Sequence, residues 1–173
     1  MAGLTTMIIA IDVYYSDNKA KSVGVIFDSW NDAEPLKIIS TYTDNPLKYE
    51  PGFFYKRELP CIQELLKLVD LNQIHTIIVD GYVYLDKNKS PGLGSYVYSS
   101  FSGRIPVIGV AKTAFHDNQA FVEKIYRGKS IKPLYITSIG IDLADAATLV
   151  QKMSGNYRIP HLLKLLDSKT REP

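Results

Sequence analysis

The sequence predicts a mixed α/β sheet: a three-strand antiparallel meander followed by alternating helices and parallel strands. Three observations predict it. Short apolar, β-branched runs follow one another through the first 42 residues, separated by turn clusters. Helical apolar spacing begins only after the Pro- and Gly-containing stretch Pro46–Gly52. From there strand-like and helix-like stretches alternate. Met7–Tyr15 reads as a strand buried on both faces, interrupted by Asp12. Tyr15–Asn18 is a turn, Ser22–Asp28 a second strand, Asp32–Pro35 a break and Leu36–Tyr42 a third strand. Ile62, Leu65, Leu66 and Val69 mark a helix beginning near Glu58, with Pro60 in its first turn. His75–Val79 is a short buried strand ending at Asp80-Gly81. Pro91–Phe101 forms a helix and Pro106–Ala111 a strand, with two more short strands at Val122–Arg127 and Leu134–Thr137. Leu143, Ala146, Ala147, Val150 and Met153 mark a last helix, and Ser168–Pro173 reads as a frayed tail. Residues 1–173 form one domain in this reading.

Composition excludes several classes. At 173 residues, 46% hydrophobic and 22% charged, the chain is that of a globular domain with a real core. No run approaches the roughly 18 apolar residues of a spanning helix, and Met1–Thr6 has neither the basic start nor the apolar core of a secretory signal. Cys61 is the only cysteine, so neither disulfides nor Cys-based zinc sites are available, and His75, His116 and His161 are scattered. A reducing cytoplasm is the expected location. Charge is unevenly divided: residues 1–86 hold 7 Lys/Arg against 12 Asp/Glu, net −5, and residues 87–173 hold 13 against 6, net +7. An acidic half joined to a basic half fits a cation site facing a phosphate-binding surface; a solvated charge distribution of no consequence is the plainer alternative.

Three carboxylates sit where folding alone would not put a charge. Asp12 interrupts an apolar strand, where an unpaired carboxylate needs a partner or a metal. Asp80 ends the HTIIV strand, and ligands of α/β sheets bind outside the carboxyl ends of strands. Glu58 opens a helix. Each also has a structural reading: a hydrogen-bonded core Asp, a turn-forming Asp-Gly, a helix N-terminal Glu. Adjacent strands would bring Asp12 and Asp80 together, and a carboxylate cluster without Cys or His selects a hard cation such as Mg²⁺ or Mn²⁺.

These segments together resemble the endonuclease V family, nucleases that cut nucleic acid near deaminated adenine (inosine) on a ribonuclease H-like fold. IAIDVYYSD (Ile9–Asp17) is similar to the family's first strand with its metal-binding aspartate. YEPGFFYKRELP (Tyr49–Pro60) resembles its Tyr-Ile-Pro-Gly…Phe-Arg-Glu segment, VDG (Val79–Gly81) its second metal aspartate, and IGVAKT (Ile108–Thr113) its Gly-Val-Ala-Lys strand. YRIP (Tyr157–Pro160) with Asp167 resembles the closing Tyr-Arg-Leu-Pro…Ala-Asp. The resemblance implies that Asp12, Asp80 and Glu58 hold Mg²⁺, with Mn²⁺ as a substitute, and that Lys112 sits near the scissile phosphate; catalysis would rest on these four. It implies that Tyr49 and Gly52 belong to a wedge loop prying the strand open. Gly81 and Pro91–Gly94 would rim the pocket for an extruded base, unless they are simple turn glycines. The partner implied is inosine-containing DNA or RNA.

The chain also departs from the family pattern. Asp86 stands where a substrate-side histidine is expected, and Lys48 and Glu50 replace the wedge's Pro and Ile. Ile141 and Asp142 occupy the place of a second histidine, Asp142 being either a helix N-cap or a replacement acid near the metal. Tyr82, Tyr84, Tyr96 and Tyr98 offer faces for stacking on bases or for packing. Lys87, Lys89, Arg104 and Arg158 are candidate phosphate contacts. The expected function is metal-dependent hydrolysis of phosphodiester bonds near inosine; the alternative is a weakened relative that binds nucleic acid without efficient cleavage.

Overall fold

The computed structural model describes residues 7–51, 53 and 55–173. Strands β1 (Met7–Ser16), β2 (Lys19–Phe27) and β3 (Lys37–Asp44) form the antiparallel meander. Helix α1 (Tyr55–Leu66) leads to β4 (Ile74–Asp80), α2 (Leu93–Ser100) to β5 (Val107–Ala111), and both strands run parallel to β1. β6 (Glu123–Ile125) and β7 (Leu134–Ile139) then return antiparallel to β5. The sheet order is β3-β2-β1-β4-β5-β7-β6, closed by helices α3 (Leu143–Gln151) and α4 (His161–Arg171).

Alternation within β1 sorts its side chains onto two faces. Ile9, Ile11 and Val13 pack with Ile77, Val79 and the α1 residues Cys61, Ile62, Leu65 and Leu66. Ile8 and Ala10 pack on the opposite face with Ile78, Ile108, Val110 and residues of α3 and α4 such as Ala147, Leu162 and Leu166. Each face therefore buries its own apolar layer. Asp12 continues the Ile8–Ala10 row and meets the point where that layer ends.

Two expectations need correction. The helix begins at Tyr55, not near Glu58, so Pro60 is its sixth residue, although Glu58 still lies in the first turn. The end of the chain also differs: the helix marked by Leu143 and Met153 is not the last and the tail does not fray at Ser168, because α4 follows and runs to Arg171. Leu162, Leu166 and Thr170, spaced by four, are buried along one stripe, and Thr170 Oγ1 donates to the Asp167 carbonyl at 2.7 Å. From β2, Lys21 Nζ donates to the carbonyls of Lys169 and Glu172 at 2.8 and 2.9 Å, satisfying groups that a helix C-terminus leaves open.

Candidate active site

Strand register assembles the site. In the parallel pair β1–β4, Ile11 lies opposite Val79, so Asp12 and Asp80 are the next residues along adjacent strands. In β4–β5, Asp80 lies opposite Val110, and Lys112 follows two residues later on the same face. The last helix supplies a fourth charge, Asp167. Asp12, Asp80, Lys112 and Asp167 line one small cavity of about 30 Å³ with apolar walls of Ile78, Val110, Leu134, Leu163 and Leu166 among others. That is room for a water-sized group. Glu58 does not line this cavity. It reaches the same charge cluster from α1, on the other side of the sheet, and interacts electrostatically with both Asp12 and Asp80.

The carboxyls are held in an unfavourable environment. Burial pushes Asp12 up to about 7 and Asp80 adds repulsion; the Val13 N–H, 2.9 Å from Oδ1, and Lys112 only partly offset this. Burial pushes Glu58 up to about 8, with Asp12 and Asp80 adding to the effect and Arg57 opposing it. Asp80 is more open to solvent, yet desolvation raises it too; Lys112 opposes the rise and Asp167 reinforces it. Among the described residues, no three His, Cys, Asp or Glu side chains stand closely enough to form a ready metal cage. The chemistry of the donor set nevertheless fits a hard divalent cation: oxygen donors only, desolvated, and repelling one another until a positive charge arrives.

Around the cleft the other candidates have definite places. Lys112 is exposed just past β5, and its carbonyl accepts from Arg158 Nη2 at 2.6 Å. Arg158 also donates to the Pro133 carbonyl through Nη2 and Nε, at 2.8 and 3.2 Å, so these two groups of its guanidinium are committed to backbone. Gly81 has a φ of +138°, with open space where a side chain would stand. Gly92 is different: a Cβ there would come within 2.4 Å of the Tyr82 carbonyl, so this glycine lets α2 pack on the Tyr82–Val83 segment. Asp86 Oδ1 accepts the backbone N–H groups of Asn88 and Ser90 at 2.8 and 3.0 Å; the Ser90 side chain first, and then these backbone bonds, hold its carboxyl below the usual range. Asp142 caps α3, accepting the Asp145 N–H at 3.1 Å, as its N-cap reading expects. Tyr49 is exposed between β3 and α1, and Gly52 lies outside the described residues.

The tyrosines are largely occupied with packing. Tyr82 is buried, donates to the Thr113 carbonyl and lies against Phe115. Tyr84 meets Phe121 edge-on, and Tyr96 stacks on Tyr55 with centroids 3.8 Å apart. Lys89 sits over the rings of Tyr84 and Phe121. Asp167 is the site residue that pattern reading left out of the site. Its signal was present as the acidic position of the segment after YRIP, but only α4, running from His161, carries it to the cleft.

The endonuclease V family model matches residues 2–168. Endonuclease V of Pyrococcus abyssi is 31% identical over 171 residues, covering 97% of this chain and 80% of that protein. Endonuclease V of Clostridium acetobutylicum is 27% identical over 188 residues, covering 94% and 79%. The crystal structure of Ciona intestinalis endonuclease V in complex with a 24mer DNA containing an inosine followed by a ribo-adenosine shares the fold. It has a TM-score of 0.77 at 19% identity over 96% of this chain and 84% of that one. The ribonuclease H-like architecture expected from the motifs is thus the observed one.

Proposed function

Because the chain belongs to the endonuclease V family, a family of nucleases, we propose that it is a metal-dependent endonuclease hydrolysing phosphodiester bonds of DNA or RNA near inosine. In this reading Asp12, Asp80 and Glu58 hold Mg²⁺, or Mn²⁺ in its place, and Asp167 stands beside them. Such an ion, when bound, supplies charge neutralisation at the phosphodiester and activation of the attacking water. Lys112 presents its ammonium to the same phosphate, held in place through its carbonyl by Arg158. On the cavity side of Asp12 the apolar walls reduce screening by water. Tyr49 and Gly52 form the wedge, and Gly81 leaves space for backbone approach by an extruded base. Asp86 stands at the substrate side and acts through the turn it closes. The buried, free Cys61 fits a reducing cytoplasm.

The observation that carries this reading is the register that sets Asp12 beside Asp80, with Asp167 and Lys112 on the same cavity. A structural carboxylate is normally paired; these are desolvated, Glu58 adds its charge from α1, and such an arrangement is stabilised by a bound cation. One observation favours the second reading, a protein that binds nucleic acid without efficient cleavage. The position of a family histidine is held by Asp86, whose Oδ1 is already engaged by backbone amides.

Cleavage of end-labelled single-stranded DNA and RNA, each with and without one inosine, in Mg²⁺ and in Mn²⁺, separates the two. The expected result is cutting near inosine by the wild type and at least a ~10³-fold loss in Asp80→Ala. Binding to these strands that persists in a chelator, with no product on any of them, supports the second reading instead.

A further inference from the structure

The two elements that carry Asp12 and Glu58 meet through one aromatic contact that the proposed chemistry does not use. Tyr15 lies on β1 three residues past Asp12, and Arg57 on α1 immediately precedes Glu58. The Arg57 guanidinium carbon lies 3.4 Å from the Tyr15 ring centroid, van der Waals contact with the face of the ring. Among the described residues, Arg57 Nε and the Tyr15 hydroxyl are both buried without a hydrogen-bond partner. The contact is therefore made by the ring face and the guanidinium plane, not by a hydrogen bond between them. Such stacking is strongest where water is excluded, and a planar guanidinium suits it in a way an ammonium does not. The contact sits beside the cleft, since Tyr15 and Glu58 interact electrostatically.

We propose that the Tyr15–Arg57 stack is a strut fixing the first turn of α1 against the end of β1, and that Tyr15 is a positioning residue setting how tightly Asp12 and Glu58 grip a divalent cation. This rests on the metal-site reading above. A hard cation is held well only where its carboxylates are pre-positioned, and supporting contacts behind metal ligands are worth about 10–100-fold in affinity. Asp12 and Glu58 come from opposite faces of the sheet, so no single element orders both. Apolar packing of Ile9, Ile11 and Val13 already joins the bodies of their two elements; the stack adds a link at the ends that carry the carboxylates.

Calorimetric titration of Mn²⁺ into the metal-free protein tests this without any turnover. Tyr15→Phe keeps the ring face and is expected to bind within about twofold of wild type. Tyr15→Leu, and Arg57→Lys, which keeps the charge but loses the plane, are each expected to weaken binding about tenfold. Urea midpoints run alongside, because a merely structural Tyr15 would lower stability and leave Mn²⁺ affinity unchanged. Equal affinity in all folded variants overturns the strut while leaving the metal site intact, as does equal weakening in Tyr15→Phe and Tyr15→Leu. Absence of Mn²⁺ binding by the wild type overturns the metal reading itself, and the strut with it. Should Tyr15→Leu fail to fold, the comparison of Arg57→Lys with wild type decides the question.

Discussion

The protein buries charge in two places and treats it in opposite ways. At the corner between α3 and α4, the Arg127 guanidinium is almost wholly buried, at 4% exposure, and donates to five backbone carbonyls: Gln151, Met153, Gly155, Tyr157 and Arg158. Burial lowers its pKa, but every direction around it offers an acceptor. At the open end of β1 and β4, Asp12, Glu58 and Asp80 are also desolvated, and each has another carboxyl near it that Lys112 or Arg57 offsets only in part. The first arrangement closes an irregular chain segment; the second costs stability as it stands. Uncompensated charge in one place, beside careful compensation in another, is how a fold shows where it was built to bind something.

The largest effect expected on this contrast comes from removing the compensated charge. Arg127→Met leaves five carbonyls without their donor and is expected to cost about 3 kcal/mol or more, read as a lower urea midpoint. A loss below ~1 kcal/mol would place the corner's stability elsewhere. Removing an uncompensated charge should do the reverse. The carboxyls of Asp12 and Glu58, near 7 and 8 in the folded chain, have ordinary values of 3.8 and 4.5. Folding therefore favours their protonated forms. Stability of the metal-free protein is greatest below the ordinary values and is lost as pH rises through about 7 to 8. Thermal scans in chelator should show Tm falling between pH 6 and pH 8.5, and Asp12→Asn should fall less and melt higher at pH 8.5 while losing activity. Added Mg²⁺ should restore wild-type Tm most at high pH, since it binds the ionised form. A wild-type Tm that is flat across this range would remove the destabilisation on which the contrast depends. The smallest effect lies between the two regions. Arg158→Ala frees the Lys112 carbonyl and is expected to cost about 1 kcal/mol in stability and about tenfold in kcat, with KM little changed. A change confined to KM would make Arg158 a substrate contact after all.

Much of this was legible before the fold. The meander, the two parallel strands, Asp12 within an apolar strand and Asp80 at a strand end follow from apolar runs broken by polar turns, because alternation is a local property of the chain. Glu58 was legible as a helix-opening acid even though the helix starts at Tyr55. The end of the chain was harder to read. Leu162, Leu163, Leu165 and Leu166 are so dense that no single face stands out, and the polar residues after them read as a tail until β2 supplies Lys21 to their carbonyls. Arg158, Tyr82 and Tyr96 have the residue types of nucleic-acid contacts, and only their neighbours reveal that they brace backbone and rings.

The sequence by itself determined which residues could not be ordinary. Asp12 in an apolar strand, Asp80 at a strand end and Glu58 at a helix start are anomalies of local composition, visible without coordinates. Tertiary structure alone decided which anomalies meet and which charges are already spent. Register sets Asp12 beside Asp80, α4 carries Asp167 to the same cavity, and Arg127 finds five carbonyls contributed by residues 24 to 31 positions away. Burial and charge coupling depend on distance through space, and a linear pattern records only distance along the chain.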